Sequence, residues 1–399
     1  MKQKTLTILA AATLVVGALA AIKLSRDEAA VASQGPGAAL LPDLLNSVND
    51  VHSITLQRKD GSATIVRQES GGWGLLEKGG YPVDPDAVRK TLLALAELRS
   101  LEQKTDDPAR YEKLGLQDPE AEGSTSTLVT LQDKSGKELG RLLVGKQSEG
   151  KGGLPSGNVY VRRANEKATW LAKGNPELKD KPTDWLQKQI VEVKRDRLRS
   201  AEVRHPDGEV VHVERGKPED ANFELANIPE GQELQYPSAP GSITSALDYL
   251  NLEDVLPADK VDFTTGAGTT SEFRTFDGLK ITVQLKEDGE KCYARFEASY
   301  EAPPQVGPTP PPAAAEPGTD PAQPPKPAEG VKAPEEVQKE ATELQQRLSK
   351  WVYQIPAYNK ASFTKHMKDL LKDKTPPPAA PGGEAAPPAD PKPADEKPH

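Results

Sequence analysis

Two stretches of this chain 147 residues apart open in the same way, and that repeat limits the fold more than any other feature. Val51, Ile54 and Leu56 lead into Asp60-Gly61 and then Ile65-Val66. Leu198-Arg199-Ser200-Ala201-Glu202-Val203 lead into Asp207-Gly208 and then His212-Val213-Glu214-Arg215. Asp-Gly between β-prone runs is a hairpin signal, because glycine accepts the positive φ of a tight turn. A helical pattern recurs as well: Val88, Leu92, Leu95 and Leu101 correspond to Ile243, Leu247, Leu250 and Leu256 at an offset of 155. A shared turn followed by a shared helix, with one short insertion between, points to a tandem duplication.

Each copy reads as an α+β unit, an antiparallel sheet with packed helices. In the first unit (residues 48–190) a third strand is expected at Trp73–Leu76. Asp84 and Pro85 then supply an N-cap and a first helical residue. Strands follow at Ser126–Gln132, Leu139–Val144, Val159–Arg162 and Ala168–Leu171, and a closing helix from Pro182 with Trp185 as its anchor. In the second unit (197–301) strands are expected at Glu272–Phe276, Lys280–Leu285 and Tyr293–Ala298. Residues 335–373 supply helices that complete it. There Val337, Ala341, Leu344, Leu348 and Trp351 alternate spacings of four and three, a stripe for a coiled-coil partner or for docking on its own sheet. So short a run favours docking. A last helix carries Phe363, Met367, Leu370 and Leu371.

Of 37 prolines, 21 lie in residues 302–334 and 375–399. The insertion 302–334 and the tail 374–399 are therefore expected to be extended and disordered, since proline cannot donate to a ladder. At the other end (residues 1–26), Lys2 and Lys4 precede an uncharged run from Thr5 to Ile22, followed by Lys23 and Arg26. As a helix that run is about 27 Å long, nearly the thickness of a hydrocarbon core. It is either a single-pass anchor flanked by basic residues or a signal segment cleaved near Ala20, where Ala18-Leu19-Ala20 fits the small-residue rule. Both readings put the body outside the cytoplasm. Residues 27–47, with Gly35-Pro36-Gly37, read as a tether.

The hairpin, the Trp73 strand, the Tyr81-Pro82-Val83-Asp84 entry and the leucine-rich helix together resemble the domain of unknown function 4340 family. Tyr111–Leu116 with Asp118-Pro119, Leu142-Leu143-Val144-Gly145, Val159-Tyr160-Val161-Arg162 and the Trp351–Tyr358 stretch also resemble it. The likeness spans most of residues 48–300 and 335–371. It implies a membrane-tethered extracytoplasmic protein found with gliding-motility-type ABC transport components. It carries over no catalytic residues, and the long proline-rich insertion and tail depart from it.

A search of the residues for chemistry assigns no catalytic, cofactor-binding or metal-binding residue. Gly145-Lys146-Gln147-Ser148-Glu149-Gly150-Lys151-Gly152 approaches a phosphate loop but has glycine where the Mg²⁺-binding hydroxyl belongs. His52, His205, His212, His366 and His399 show no ligand spacing, so solvated or strand-surface histidines are expected. No Gly-x-Ser-x-Gly elbow occurs. Cys292 reads as a small packed residue without an activating base, and as the only cysteine it rules out an internal disulfide. Lys188, Lys194, Arg195, Arg197 and Arg199 form a basic connector that is more readily solvated than bound to lipid headgroups. Trp73, Trp170, Trp185 and Trp351 read as core anchors rather than stacking platforms. With 51 Lys and Arg against 60 Asp and Glu, the net charge of −9 disfavours nucleic acid. The expectation is a non-enzymatic, membrane-anchored envelope protein that serves membrane-transport proteins and needs no cofactor, its small-molecule ligand unknown. The alternatives are an envelope hydrolase or ligand-binding protein using scattered carboxylates, and a structural protein that binds cell-wall polymer.

Overall fold

The computed structural model describes residues 36–150, 153–265, 268–303 and 332–372. The expected N-terminal segment 1–26, the tail 374–399 and most of the insertion 302–334 lie outside the described residues. Among the described residues no helix is long and apolar enough to cross a membrane.

The chain is mixed α+β, built on two large antiparallel sheets. The first contains β1 (Val51–Arg58), β2 (Gly61–Arg67), β3 (Trp73–Leu75), β4 (Tyr81–Pro82) and β5 (Arg99–Thr105). It continues with β6 (Thr127–Asp133), β7 (Glu138–Glu149), β8 (Pro155–Arg163) and β9 (Thr169–Lys173). Their order across the sheet is β4-β3-β2-β1-β6-β7-β8-β9-β5. After β10 (Gln189–Val191) come β11 (Leu198–Arg204), β12 (Val210–Glu214), β13 (Glu224–Leu225), β14 (Leu250–Asn251) and β15 (Asp254–Pro257). β16 (Thr270–Thr275), β17 (Leu279–Asp288), β18 (Lys291–Tyr300) and β19 (Trp351–Ile355) complete the set. The second sheet runs β13-β12-β11-β16-β17-β18-β19-β15, while β10 and β14 pair separately.

Register is set by alternation. Ile54, Leu56 and Ile65 point into the core from β1 and β2, as Ala201, Val203, Val211 and Val213 do from β11 and β12. A register shift falls between Val51 and Ser53 against β6, and another between Leu198 and Ser200 against β16. The helix α1 (Pro85–Glu97) begins where the sequence puts it: the Asp84 side chain accepts a 2.9 Å bond from the Asp86 amide, and Val88, Leu92 and Leu95 are buried. The helix α2 (Pro334–Leu348) docks on its own sheet. Val337, Ala341 and Leu348 are buried, and Gln345 Oε1 accepts from the Ala298 amide of β18 at 2.7 Å, so its apolar stripe is no free seam.

The two sheets share one continuous apolar core. At the junction Tyr81 meets Trp351 edge-on with ring centroids 5.1 Å apart, and Tyr353 at 6.2 Å. Lys78 pairs with Asp254 at 2.6 Å across the same boundary. A smaller cluster of Tyr111, Leu116, Leu128 and Leu143 covers the reverse face of the first sheet.

Several expectations need correction. Only a single 3-10 turn, Pro182–Trp185, stands where a closing helix is expected, because the backbone pairs instead with the chain at Pro82–Asp84. Asp84 N donates to Trp185 O at 2.8 Å and Gln187 N to Pro82 O at 3.0 Å. The helix expected around Ile243 is reduced to Gly241–Thr244 and one 3-10 turn, and Tyr249 at φ 53° stops it before β14. Trp351 lies in β19 rather than on the preceding helix, and Leu101 lies in β5, exposed. The last helix, α3 (Ala357–Phe363), ends before Met367. Finally, part of the expected tether belongs to the fold: Leu40, Leu41 and Leu44 are buried, and Gly37 N bonds to Ser100 O at 2.6 Å.

Candidate functional site

Two arrangements gather polar side chains from distant parts of the sequence. The first grows from the β11–β12 turn. His205 N donates to Glu209 O at 2.9 Å and Gly208 N to His205 O at 3.0 Å, enclosing Pro206-Asp207-Gly208. Proline presets the first turn residue, and Gly208 at φ 91° takes the left-handed position that a side chain disfavours. Asp207 Oδ1 accepts from the Glu209 amide at 2.9 Å. His205 and Glu209 therefore face each other across the hairpin end, and residues directly opposite in a ladder present their side chains on one face.

The C-terminal segment lays a third group on this pair. Phe363 packs edge-on against Phe273 with centroids 5.8 Å apart, and Ser271 Oγ donates to Phe363 O at 3.0 Å. Further on, Gln235 N donates to Leu370 O and Lys372 N to Glu233 O, each at 2.9 Å. Held at both ends, the segment stacks the His366 ring on His205, with centroids 3.9 Å apart and planes 12° from parallel. His366 Nδ1 donates to Glu209 Oε2, and the Met367 amide donates to Glu209 Oε1 at 2.9 Å. Burial pushes the Glu209 carboxyl up, but the bonds from His366 and Met367 outweigh it and leave the group below the usual carboxylate range. One ligand atom from each of His205, Glu209 and His366 lies within 4.8 Å of the others.

The second arrangement is a cleft of about 700 Å³ beside the start of β11, lined by Glu192, Asp196, Arg197, Glu219, Asp277 and Glu340 among others. Within this lining Arg197 makes three side-chain hydrogen bonds. Its Nε donates to Asp277 at 2.7 Å, and Nη1 and Nη2 donate to the two Glu340 oxygens, each at 2.7 Å. Lys332, at the return of the proline-rich insertion, adds a bond to Glu340 at 2.9 Å. The departing end is fixed nearby, since Glu301 N donates to Gly278 O at 2.8 Å. The Lys332 amide also donates to Asp277 at 3.4 Å, so the described residues at both ends of the insertion lie against the β16–β17 turn.

The residues singled out in the sequence have other fates. Trp170, Trp185 and Trp351 are buried anchors, and Trp73 is half-buried beneath the Arg67 guanidinium. Cys292 is buried in β18 and burial pushes its thiol up to about 11, so it packs as a neutral group. Gly145–Glu149 lies inside β7 rather than in a loop before a helix, which removes the phosphate-loop geometry. The basic connector is only partly solvated: Arg197 is paired as above, and Arg195 lies over the Phe223 ring. Sequence missed His205, Glu209 and His366 as a group, because His366 stands 161 residues from His205. The single local signal was a Pro-Asp-Gly turn flanked by a histidine and a glutamate.

Residues 73–266 match the family model described as Domain of unknown function (DUF4340). The match takes in His205 and Glu209 and ends before His366. No curated protein and no solved structure matches the chain. Residues 73–266, just under half of the chain, are thus similar to the DUF4340 family.

Proposed function

We propose that this protein is a non-enzymatic accessory protein of the cell envelope, anchored by its N-terminal run, that holds protein components of an ABC-type transport assembly. The observation that carries the reading is the junction at Tyr81, Trp351 and Tyr353, where two broad antiparallel sheets share one core. Such a body is a stiff platform, suited to holding a partner in place. The body is also read as a tandem duplication. Eight strands follow the same order in both sheets, and the register shifts at Val51/Ser53 and Leu198/Ser200 fall 147 residues apart, the offset of the two Asp-Gly turns. Membrane attachment rests on the Thr5–Ile22 run and its basic flanks. The transport partner rests on the family likeness. Pull-down of the full chain from a mild detergent extract tests this: transporter subunits should be recovered, and recovery of none under several mild conditions counts against it.

The cleft at Arg197 favours a second reading, a ligand-binding protein or hydrolase with a carboxylate-lined site. Two of its carboxylates are already committed. Asp277 and Glu340 both bond the Arg197 guanidinium, each at 2.7 Å, which turns their oxygens toward it and away from a substrate that would exchange a proton with them. Turnover of an ester, glycoside or phosphoester panel that disappears in Glu219→Gln would put this reading ahead of the first.

A further inference from the structure

The cluster at the end of the β11–β12 hairpin goes beyond what a platform needs. His205 Nε2 lies 3.1 Å from Lys365 O. A carbonyl only accepts, so Nε2 is the donor there and Nδ1 is the ring nitrogen left to face a ligand, with only a long 3.5 Å contact to Thr269 Oγ1. Metal-binding imidazoles are commonly held this way, one ring nitrogen fixed by a backbone carbonyl and the other left for the ion. Glu209 supplies an ionised oxygen and His366 a second ring. The His366 and Glu209 side chains are 33% and 30% exposed, so an ion has a route in and a water can complete its shell.

We propose that His205, Glu209 and His366 bind one divalent transition-metal ion, zinc matching the donor set best, and that the ion ties the C-terminal segment to the second hairpin. Two nitrogens and one carboxylate oxygen suit zinc and its neighbours better than magnesium or calcium, which take oxygen shells. Zinc bonds of about 2.0–2.1 Å require tetrahedral ligands about 3.3 Å apart. The three groups, within 4.8 Å, must therefore draw together, which the rings achieve by tilting out of their stack. On binding, His366 Nδ1 or Glu209 gives up the hydrogen bond between them, and any proton displaced from an imidazolium goes to solvent. A plain histidine–glutamate pair with a stacked neighbour is the rival account of the same geometry.

Calorimetric titration of the purified, chelator-stripped full chain with Zn²⁺ separates the two. One ion per chain should bind, and Glu209→Gln and His366→Ala should each weaken binding by more than about 100-fold. His212→Ala is the control, because His212 also has two carboxylates nearby, Glu202 at 3.4 Å and Glu214 at 3.6 Å. It should bind as the parent does. Co²⁺ substituted into the unmutated chain should give the intense visible bands of a tetrahedral site, a readout that needs no variant to fold. Absence of stoichiometric binding, unchanged binding in both ligand variants, or loss confined to His212→Ala overturns the proposal. So does a Co²⁺ spectrum of octahedral type.

Discussion

Replacing Arg197 with methionine should destabilise the second half of the protein through the charge it leaves behind. The guanidinium side chain is 12% exposed and its Asp277 partner 0%. Without it, Asp277 retains the Thr275 hydroxyl and a 3.4 Å contact from the Lys332 amide, neither of which carries a full positive charge. Removing one member of a buried pair costs about 3–5 kcal/mol. Glu340 keeps Lys332 and is partly solvated, which puts the expected loss at the lower end, about 3 kcal/mol. With a urea m-value of about 3 kcal/mol/M, the unfolding midpoint should fall by about 1 M, followed by fluorescence of the buried tryptophans. Adding Asp277→Asn should return part of the loss, because no uncompensated charge then remains. The pH dependence has a defined sign. Burial pushes the Glu340 carboxyl up, but Arg197 and Lys332 together hold it below its usual value. A lowered folded value means stability that is present above the unfolded carboxylate value, about 4.3, and is lost as pH falls through the folded one. The gap between parent and Arg197→Met should therefore narrow on acidification. A midpoint unchanged to within about 0.2 M at pH 7, or a gap that widens in acid, would refute this reasoning.

Three further outcomes are expected. Gly145→Ala should be strongly destabilising, because its Cβ would sit 2.8 Å from Gly115 O and 2.9 Å from Leu116 Cδ2, whereas Gly72→Ala meets nothing and should melt with the parent. Asp84→Ala removes the cap on Asp86 N and should cost about 1 kcal/mol in urea unfolding. Cys292, buried and pushed up to about 11, should resist a thiol reagent at pH 8 in the native protein and react promptly in denaturant; rapid native labelling would show that β18 opens readily.

Much of the sheet architecture was legible because alternation and turn chemistry are local. The Asp-Gly turns, the Asp84-Pro85 helix start and the strands at Leu139–Val144 and Lys280–Leu285 all carry their own signals. What failed depended on distant partners. Trp185 looked like a helix anchor, yet its backbone pairs with Asp84, about one hundred residues earlier. Leu250 kept a helical spacing but lies in a short strand beyond the left-handed Tyr249. β19 was hidden because Trp351 continued the four–three stripe of α2. The cluster of His205, Glu209 and His366 was illegible for the same reason: only the docking of the C-terminal segment brings its third member in. Arg197 read as one more connector cation, since nothing local shows that Asp277 and Glu340 converge on it.

The reading as an envelope platform is tested most directly by crosslinking in intact cells, followed by mass-spectrometric identification of the neighbours. Crosslinks from surface lysines of either sheet to subunits of a membrane transporter, in the membrane fraction, are the predicted result. Recovery in the cytosolic fraction, with crosslinks only to soluble proteins, would contradict it.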